Sequence, residues 1–373
     1  MGEKRRRALA RKYDAPLMVI TSLLLIAGVV LVFSASWPEG ISKHDNGYFF
    51  ITKHIKNLIL GLIAMVFCMK FDYRYYKKLD KLIIAVALFS YALLFTRFGD
   101  SRLGSSRWVQ LPGFSFMPSD IMKVAAVFAL ANLLSGNRKY KKDFTKGTLP
   151  IIIYIAIPVG LIVIKDFGSA AVLGISLMVM AIIDGLNLAH LVPMAGFFSL
   201  LVAFALNSER FGYRIKRLNV FLDPFSDLSD KGWQLGNSLL SLALGGVKGV
   251  GLGKGMHKYT YIPHVYNDFI FSVAGEEFGF IGATSIIVLF LAFVQRGFTI
   301  GLKCKDKYGK LVAIGLTTMI AIQAFLNIMV SIGAAPVTGI TLPFISYGGT
   351  SLIINMACAG VLLNISKNNK QRR

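Results

Sequence analysis

Several ionisable side chains stand inside or at the ends of long apolar runs, where a charge is costly and therefore marks a site or a pair. Asp120 and Lys123 lie three apart at the start of one run, on one helix face. They either pair with each other or leave Lys123 open to an anionic ligand. Asp166 opens another run, where the helix dipole favours an acid whatever its function. Asp268 is the sharpest case. It follows Tyr261-Ile262-Pro263-His264-Val265-Tyr266-Asn267 and opens a run beginning Phe269-Ile270-Phe271, so it is either a helix cap or a reactive carboxylate. Glu276 and Glu277 follow two turns deeper. Adjacent carboxylates cannot face one direction, so at least one is expected to pair with a cation inside the bundle. Arg107 and Trp108 precede Asp120, and the indole also suits an interfacial anchor. The stretch Gly245 to Gly255 could hold a phosphate on amides beside Lys248 and Lys254, or be a flexible turn. No strand–turn–helix unit surrounds it, which excludes a dinucleotide fingerprint. His257 and His264 share a loop with Asp268, but neither a hydrolase triad nor a metal motif emerges from their spacing.

The elements that must position these residues are helices in lipid. Hydrophobic residues make up 55% of the chain and charged ones 16%, and the charges sit in short blocks between apolar runs. Those runs fall near 16–36, 54–71, 81–97, 119–135, 149–164, 168–184, 188–206, 269–294, 311–332 and 344–366, about ten segments long enough to cross a hydrocarbon core. The net charge of +22 is explained by Lys and Arg in short loops, not by a nucleic-acid face. Cys68, Cys304 and Cys358 have neither disulfide nor zinc spacing. The N-terminus mimics a signal peptide, but its apolar part is too long and more spans follow.

The basic residues also set the orientation. With the N-terminus in the cytoplasm, segments 72–80, 136–148, 185–187 and 295–310 and the tail from Lys367 fall inside, and four of the five outside segments are poorer in Lys and Arg for their length. The resulting organisation is a basic cytoplasmic N-terminus (1–15), a membrane domain (16–366) and a basic cytoplasmic tail (367–373). The fold class is an all-α polytopic membrane protein. Its large extracytoplasmic loop, 207–267, lies between the seventh and eighth spans. Within that loop Gln234, Asn237, Ser238 and Ser241 recur at helical spacing opposite Leu235, Leu239, Leu240 and Leu242. This predicts an amphipathic helix at the outer interface or lining a cavity.

The same positions carry a family resemblance that covers about residues 16–366. Ser106-Arg107-Trp108-Val109 with Met117-Pro118-Ser119-Asp120-Ile121-Met122-Lys123 resembles the RW…PSE…K signature of the SEDS family (shape, elongation, division and sporulation). Asp166-Phe167-Gly168-Ser169-Ala170 is similar to its PDLGTA element, and Phe221-Leu222-Asp223-Pro224 with Gly232-Trp233-Gln234 to its large-loop pattern. Asn267-Asp268-Phe269-Ile270-Phe271 and Gly275-Glu276-Glu277-Phe278-Gly279 resemble the loop-to-helix element that carries the family's essential aspartate. Pro336 to Ser351, with Pro343-Phe344-Ile345-Ser346-Tyr347-Gly348-Gly349, resembles its C-terminal signature. FLDP, GWQ and NDFIF lean toward the division and sporulation branch, FtsW-like more than RodA-like. The departures are Asp120 for glutamate, Met117 for glutamine and Lys165 for proline.

The resemblance implies a peptidoglycan glycosyltransferase that polymerises lipid II at the outer face of the bacterial cytoplasmic membrane. It implies Asp268 as general base, with Tyr266 and Phe269 partly desolvating it. Lys123 and Arg107, with Lys254 and the glycine-rich amides, would hold the diphosphate. Trp108, Asp166, Gln234 and Ser346 are further expected substrate contacts, while Asp120, Glu276 and Glu277 are expected in ion pairs. A divalent cation, Mg2+ or Mn2+, could share the diphosphate. Expected partners are undecaprenyl-diphosphate-linked glycan, a class B penicillin-binding transpeptidase and other divisome or elongasome membrane proteins. Two other readings suit such a bundle: a flippase for the lipid-linked precursor, and a non-catalytic scaffold.

Overall fold

The computed structural model describes residues 13–100, 107–111, 114–136, 143–186, 196, 221, 223, 233–260 and 265–370. Helix α1 (Ala15–His44) starts after Asp14, whose carboxylate accepts from the Leu17 amide, with Pro16 in the first turn where no amide is needed. α2 (Phe49–Lys70), the short α3 (Arg74–Lys78) and α4 (Asp80–Ala92) follow. Strands β1 (Gly99–Asp100), β2 (Trp108–Leu111) and β3 (Phe114–Phe116) then form a small antiparallel sheet, with Asp100 opposite Trp108 and Val109 opposite Phe116. α5 (Pro118–Ser135) again has proline in its first turn. α6 (Leu149–Lys165) hands over to α7 (Phe167–Ile183) through Asp166, which caps α7. The remaining described helices are α8 (Trp233–Gly245), α9 (His257–Thr260), α10 (Val265–Asp268), α11 (Ile270–Leu302), α12 (Lys307–Ser331) and α13 (Gly349–Lys370).

Six of these helices, α1, α2, α5, α11, α12 and α13, are long and apolar enough to cross a membrane by length and composition, and α6 and α7 are shorter apolar helices. Each expected run coincides with a helix except 188–206, which lies outside the described residues apart from 196. Two boundaries move. The run at 81–97 stops as an α-helix at Ala92, and the run at 344–366 becomes helical only at Gly349. The sheet between α4 and α5 is an element the all-α reading did not contain. The expected tail at 367–373 is helical as far as Lys370.

The amphipathic helix of the large loop is present as α8, with its polar side inward. Asn237, Ser238 and Ser241 are buried, whereas Leu240 and Leu244 are exposed. That is the arrangement of a helix whose apolar face meets lipid, not water.

Two polar rungs tie α1 to α11. At one end Arg296 donates from Nε to Asp14 at 3.2 Å. At the other, Ser34 donates to Glu277 at 2.6 Å. Asp14 and Ser34, like Arg296 and Glu277, are separated by about twenty residues, roughly 30 Å at the helical rise and so one hydrocarbon thickness. The two rungs thus stand about one hydrocarbon thickness apart.

Candidate functional site

The site is built around a break between two helices. Asp268 ends α10, and Phe269, at φ −114° and ψ 22°, stops the helix before α11 begins. Asn327 of α12 reaches the carbonyl at this break: its Nδ2 donates to the Asp268 carbonyl at 2.8 Å and to the Ile340 carbonyl at 2.7 Å. The loop containing Ile340 is stitched down along four consecutive carbonyls. Arg107 Nη1 donates to those of Thr338 (3.0 Å) and Gly339 (3.4 Å), Asn327 to that of Ile340, and Gln323 Nε2 to that of Thr341 at 3.1 Å. Gly339 sits at φ 71°, and a Cβ there would lie 2.8 Å from Arg107 Nη1 and 3.4 Å from Asp268 Oδ2. Guanidinium and carboxylate thus meet at one glycine. Asp166 joins them: Oδ1 accepts from the Ser169 amide at 3.2 Å and faces Arg107 Nη1 at 3.8 Å.

The structure therefore brings Arg107, Asp166 and Asp268 together. Lys123 lies elsewhere. It is 2% exposed, pairs with Asp120 at 2.8 Å and donates to Gln323 Oε1 at 2.9 Å. The ion-pair arrangement is the one present: Lys123 and both its partners, Asp120 and Gln323, are buried. Its influence passes through Gln323 to the Thr341 carbonyl, and Thr341 Oγ1 hydrogen-bonds Ser351 at 2.9 Å. Ser346 is 3% exposed, and its Oγ accepts from the Leu342 amide at 2.8 Å. The hydroxyl closes the turn that holds Phe344 at φ 64°, a conformation costly for a residue with a side chain. Trp108 lies half-buried in β2 and Gln234 half-buried in the first turn of α8, while Lys254 is exposed.

The glycine-rich stretch is not a loose turn, because it is bonded to α11. Gly279, at φ 67° and ψ −166°, interrupts α11. The break frees the carbonyls of Glu276 and Glu277, which accept from the amides of Val250 and Gly251, each at 3.0 Å. In exchange, the amides of Phe280 and Ile281 donate to the carbonyls of Gly246 (2.8 Å) and Val247 (3.3 Å). The loop replaces one missing helical turn, which uses the amides of Val250 and Gly251.

Beside this splice, Glu276 and Glu277 both find partners. Glu277 Oε1 takes Lys258 Nζ at 2.6 Å and Ser34, and Lys258 also donates to Ser34 at 2.7 Å. Glu276 accepts from Ser241 at 2.8 Å and the Met256 amide at 2.8 Å, with His257 Nδ1 at 3.3 Å. The anticipated internal cation is Lys258, which sequence reasoning missed along with Ser34, Gln323 and Asn327. Gln323 and Asn327 did leave a signal: they are polar residues four apart in an otherwise apolar run, on one helix face. Near the break, burial and then Glu39 push the Tyr266 phenol up from its ordinary value. No three His, Cys, Asp or Glu side chains gather as a metal cluster among the described residues. A Mg2+ or Mn2+ ion would have to take most of its oxygen ligands from substrate and water, as Mg2+ commonly does.

A bundle of long apolar helices that collects a carboxylate, a guanidinium and a helix-capping acid is a polytopic membrane protein with a polar site. Comparison with known proteins narrows the class. The chain belongs to the FtsW/RodA/SpoVE family of cell cycle proteins, whose family model matches residues 15–371. It is 38% identical over 362 residues to stage V sporulation protein E of Bacillus subtilis, covering 95% of this chain and 97% of that one. It is 36% identical to the probable peptidoglycan glycosyltransferase FtsW of Geobacter sulfurreducens, covering 95% of each. Among solved structures, a chain of a peptidoglycan synthase complex that coordinates polymerization and crosslinking is similar, with a TM-score of 0.78, 26% identity and coverage of 96% and 98%. The rod shape determining protein RodA of Thermus thermophilus shares the fold, with a TM-score of 0.70, 24% identity and coverage of 96% and 97%.

Proposed function

We propose that this chain is a peptidoglycan glycosyltransferase that polymerises lipid II into β-1,4-linked glycan strands, with Asp268 as the general base. The observation that carries the reading is the meeting of Asp268 and Arg107 at Gly339, in a chain aligned almost end to end with relatives of that name. In this mechanism the Asp268 carboxylate takes the proton of the acceptor sugar's 4-hydroxyl. That oxygen attacks the anomeric carbon of the donor strand, the carbon–oxygen bond to the diphosphate breaks, and undecaprenyl diphosphate leaves with the bonding electrons. A single displacement inverts the anomeric centre from α to β. Arg107 faces the diphosphate and stabilises the charge it gains, while Asp166 holds the guanidinium in place. Trp108 and Gln234 contact the glycan. Lys254 reaches the lipid head group from a lip where Val247, Leu252 and Met256 are exposed.

The Lys/Arg bias of the short loops supports cytoplasmic termini and a site facing outward. Likeness to a chain of a peptidoglycan synthase complex supports a transpeptidase partner of the class B penicillin-binding type. The sporulation and division relatives support a role in those processes over elongation.

The test is lipid II polymerisation by the purified protein, with lipid II already on the accessible leaflet. Asp268→Ala and Asp268→Asn are expected to lose about 100-fold or more of the rate, the range of a lost general base. Wild-type rates in either variant overturn the assignment. Polymer formed on that leaflet needs no flipping and counts against a transport role.

A further inference from the structure

We infer that Asn327 is a positioning residue for the reaction, the clamp that holds Asp268 and the Thr338–Thr341 loop in register. The inference rests on the proposed role of Asp268 and adds a residue that neither the motifs nor the ionisable-residue search singled out.

Asn327 is 1% exposed near the C-terminal end of α12, where a buried polar side chain is expensive unless its hydrogen bonds are made. Its amide has two N–H donors, and each meets a carbonyl from a different segment, Asp268 at 2.8 Å and Ile340 at 2.7 Å. The opposite orientation would turn the side-chain oxygen toward two carbonyl oxygens, so the bonds fix which atom faces the site. Asn327 Oδ1 has no partner, so the donors are what this residue is kept for.

Both bonds go to points where regular secondary structure stops: Asp268 ends α10 at the break at Phe269, and Ile340 lies in irregular backbone. Without the clamp, the last turn of α10 could continue into α11 and carry the carboxylate round with it. Ile340 is the neighbour of Gly339, at which Arg107 and Asp268 meet. One side chain therefore sets both the direction of the carboxylate and its distance from the guanidinium. Asn327 touches no reacting atom and acts through Asp268. Gln323, one turn earlier on the same face, holds the next carbonyl but reaches back to Lys123, so it anchors the loop and not the aspartate.

The experiment compares wild type, Asn327→Leu, Asn327→Ala and Asp268→Ala as full-length protein, measuring kcat and KM for lipid II polymerisation and the thermal melt in detergent. Asn327→Leu keeps the shape and removes both donors. Its expected signature is a fall in kcat of about 10- to 100-fold, the cost of a displaced catalytic group, with KM changed less than about threefold. The pH–rate profile is also expected to move on its acidic limb, because the base sits in a different environment. If Asn327→Leu unfolds, Asn327→Ala, which leaves room for water between the carbonyls, carries the same measurement. A kcat within twofold of wild type in a folded Asn327 variant overturns the inference, as does a loss carried by KM alone. An active Asp268→Ala protein instead overturns the base assignment beneath it, so the two failures are told apart.

Discussion

Arg107 and Asp268, 161 positions apart in sequence, converge on Gly339: Arg107 Nη1 and Asp268 Oδ2 lie 2.8 Å and 3.4 Å from where a Cβ on that glycine would be. The left-handed φ of 71° is readily adopted only by glycine, and the space beside it is filled by the two charged groups. Gly339→Ala is therefore expected to push the guanidinium away from the Thr338 carbonyl and lower polymerisation about 100-fold in a chain that still folds. Gly348→Ala is the control, since its Cβ meets only the side chains of Thr341 and Ser351 at 3.3 Å and 3.4 Å. Equal activities in the two variants count against the convergence.

The buried Asp120–Lys123 pair makes a prediction about stability more than chemistry. Breaking a buried pair strands the remaining charge, at a cost of about 3–5 kcal/mol, whereas replacing both members by apolar residues is often close to neutral. Lys123→Met alone is expected to melt far below wild type, and Asp120→Leu with Lys123→Met to recover most of the loss. Melting curves in detergent decide it. A double variant no better than the single one means that Lys123 is held by something other than this aspartate.

The spans were legible because their signal is local: twenty apolar residues announce a helix wherever they pack. Asp166 and Asp268 were legible for the same reason, as charges at the ends of apolar runs. The uncharged side chains that hold the backbone around them were not. Asn327 and Gln323 carry no charge, so a search for costly ions passes over them, and their targets are backbone carbonyls that no sequence pattern names. The glycine-rich stretch was ambiguous because glycine marks close backbone approach without saying to what. Here one neighbour is a broken helix of the same chain. The sheet at Gly99–Phe116 was missed because its strands are only two to four residues long.

Alkaline pH is expected to weaken the protein through Tyr266. Burial raises its phenol above the ordinary value of 10.0, and Glu39 adds to the shift. A raised folded value means that the stabilisation is complete below about 10 and is lost as pH climbs from there, because the unfolded chain releases the proton first. Melting temperature should therefore be flat from neutrality to about pH 9 and then fall. In Tyr266→Phe the alkaline fall should be shallower. An unchanged slope would place the titrating group elsewhere, for instance at the buried Tyr347 or Tyr73.

The splice between α11 and the glycine-rich loop can be tested by a pair of substitutions that share one backbone cost. Gly249 (φ 80°) and Gly253 (φ 79°) both sit in the left-handed region, so alanine strains each by about the same amount, on the order of 1 kcal/mol. Only Gly249 is crowded: a Cβ there would run into the Glu277 carbonyl and the Gly279 amide nitrogen, while at Gly253 it meets nothing within 4 Å. The crowding atoms belong to backbone that exchanges hydrogen bonds with Gly246, Val247, Val250 and Gly251, so they cannot yield without undoing the replaced turn. Gly249→Ala should accordingly destabilise the protein well beyond Gly253→Ala and expose the loop to protease. Releasing the loop also releases Lys258 from Glu277, and Lys258 lies just ahead of α10, so the same variant should lose polymerisation as well as stability. Matching melts and matching rates for the two alanines would mean that the loop lies free of α11 in the membrane.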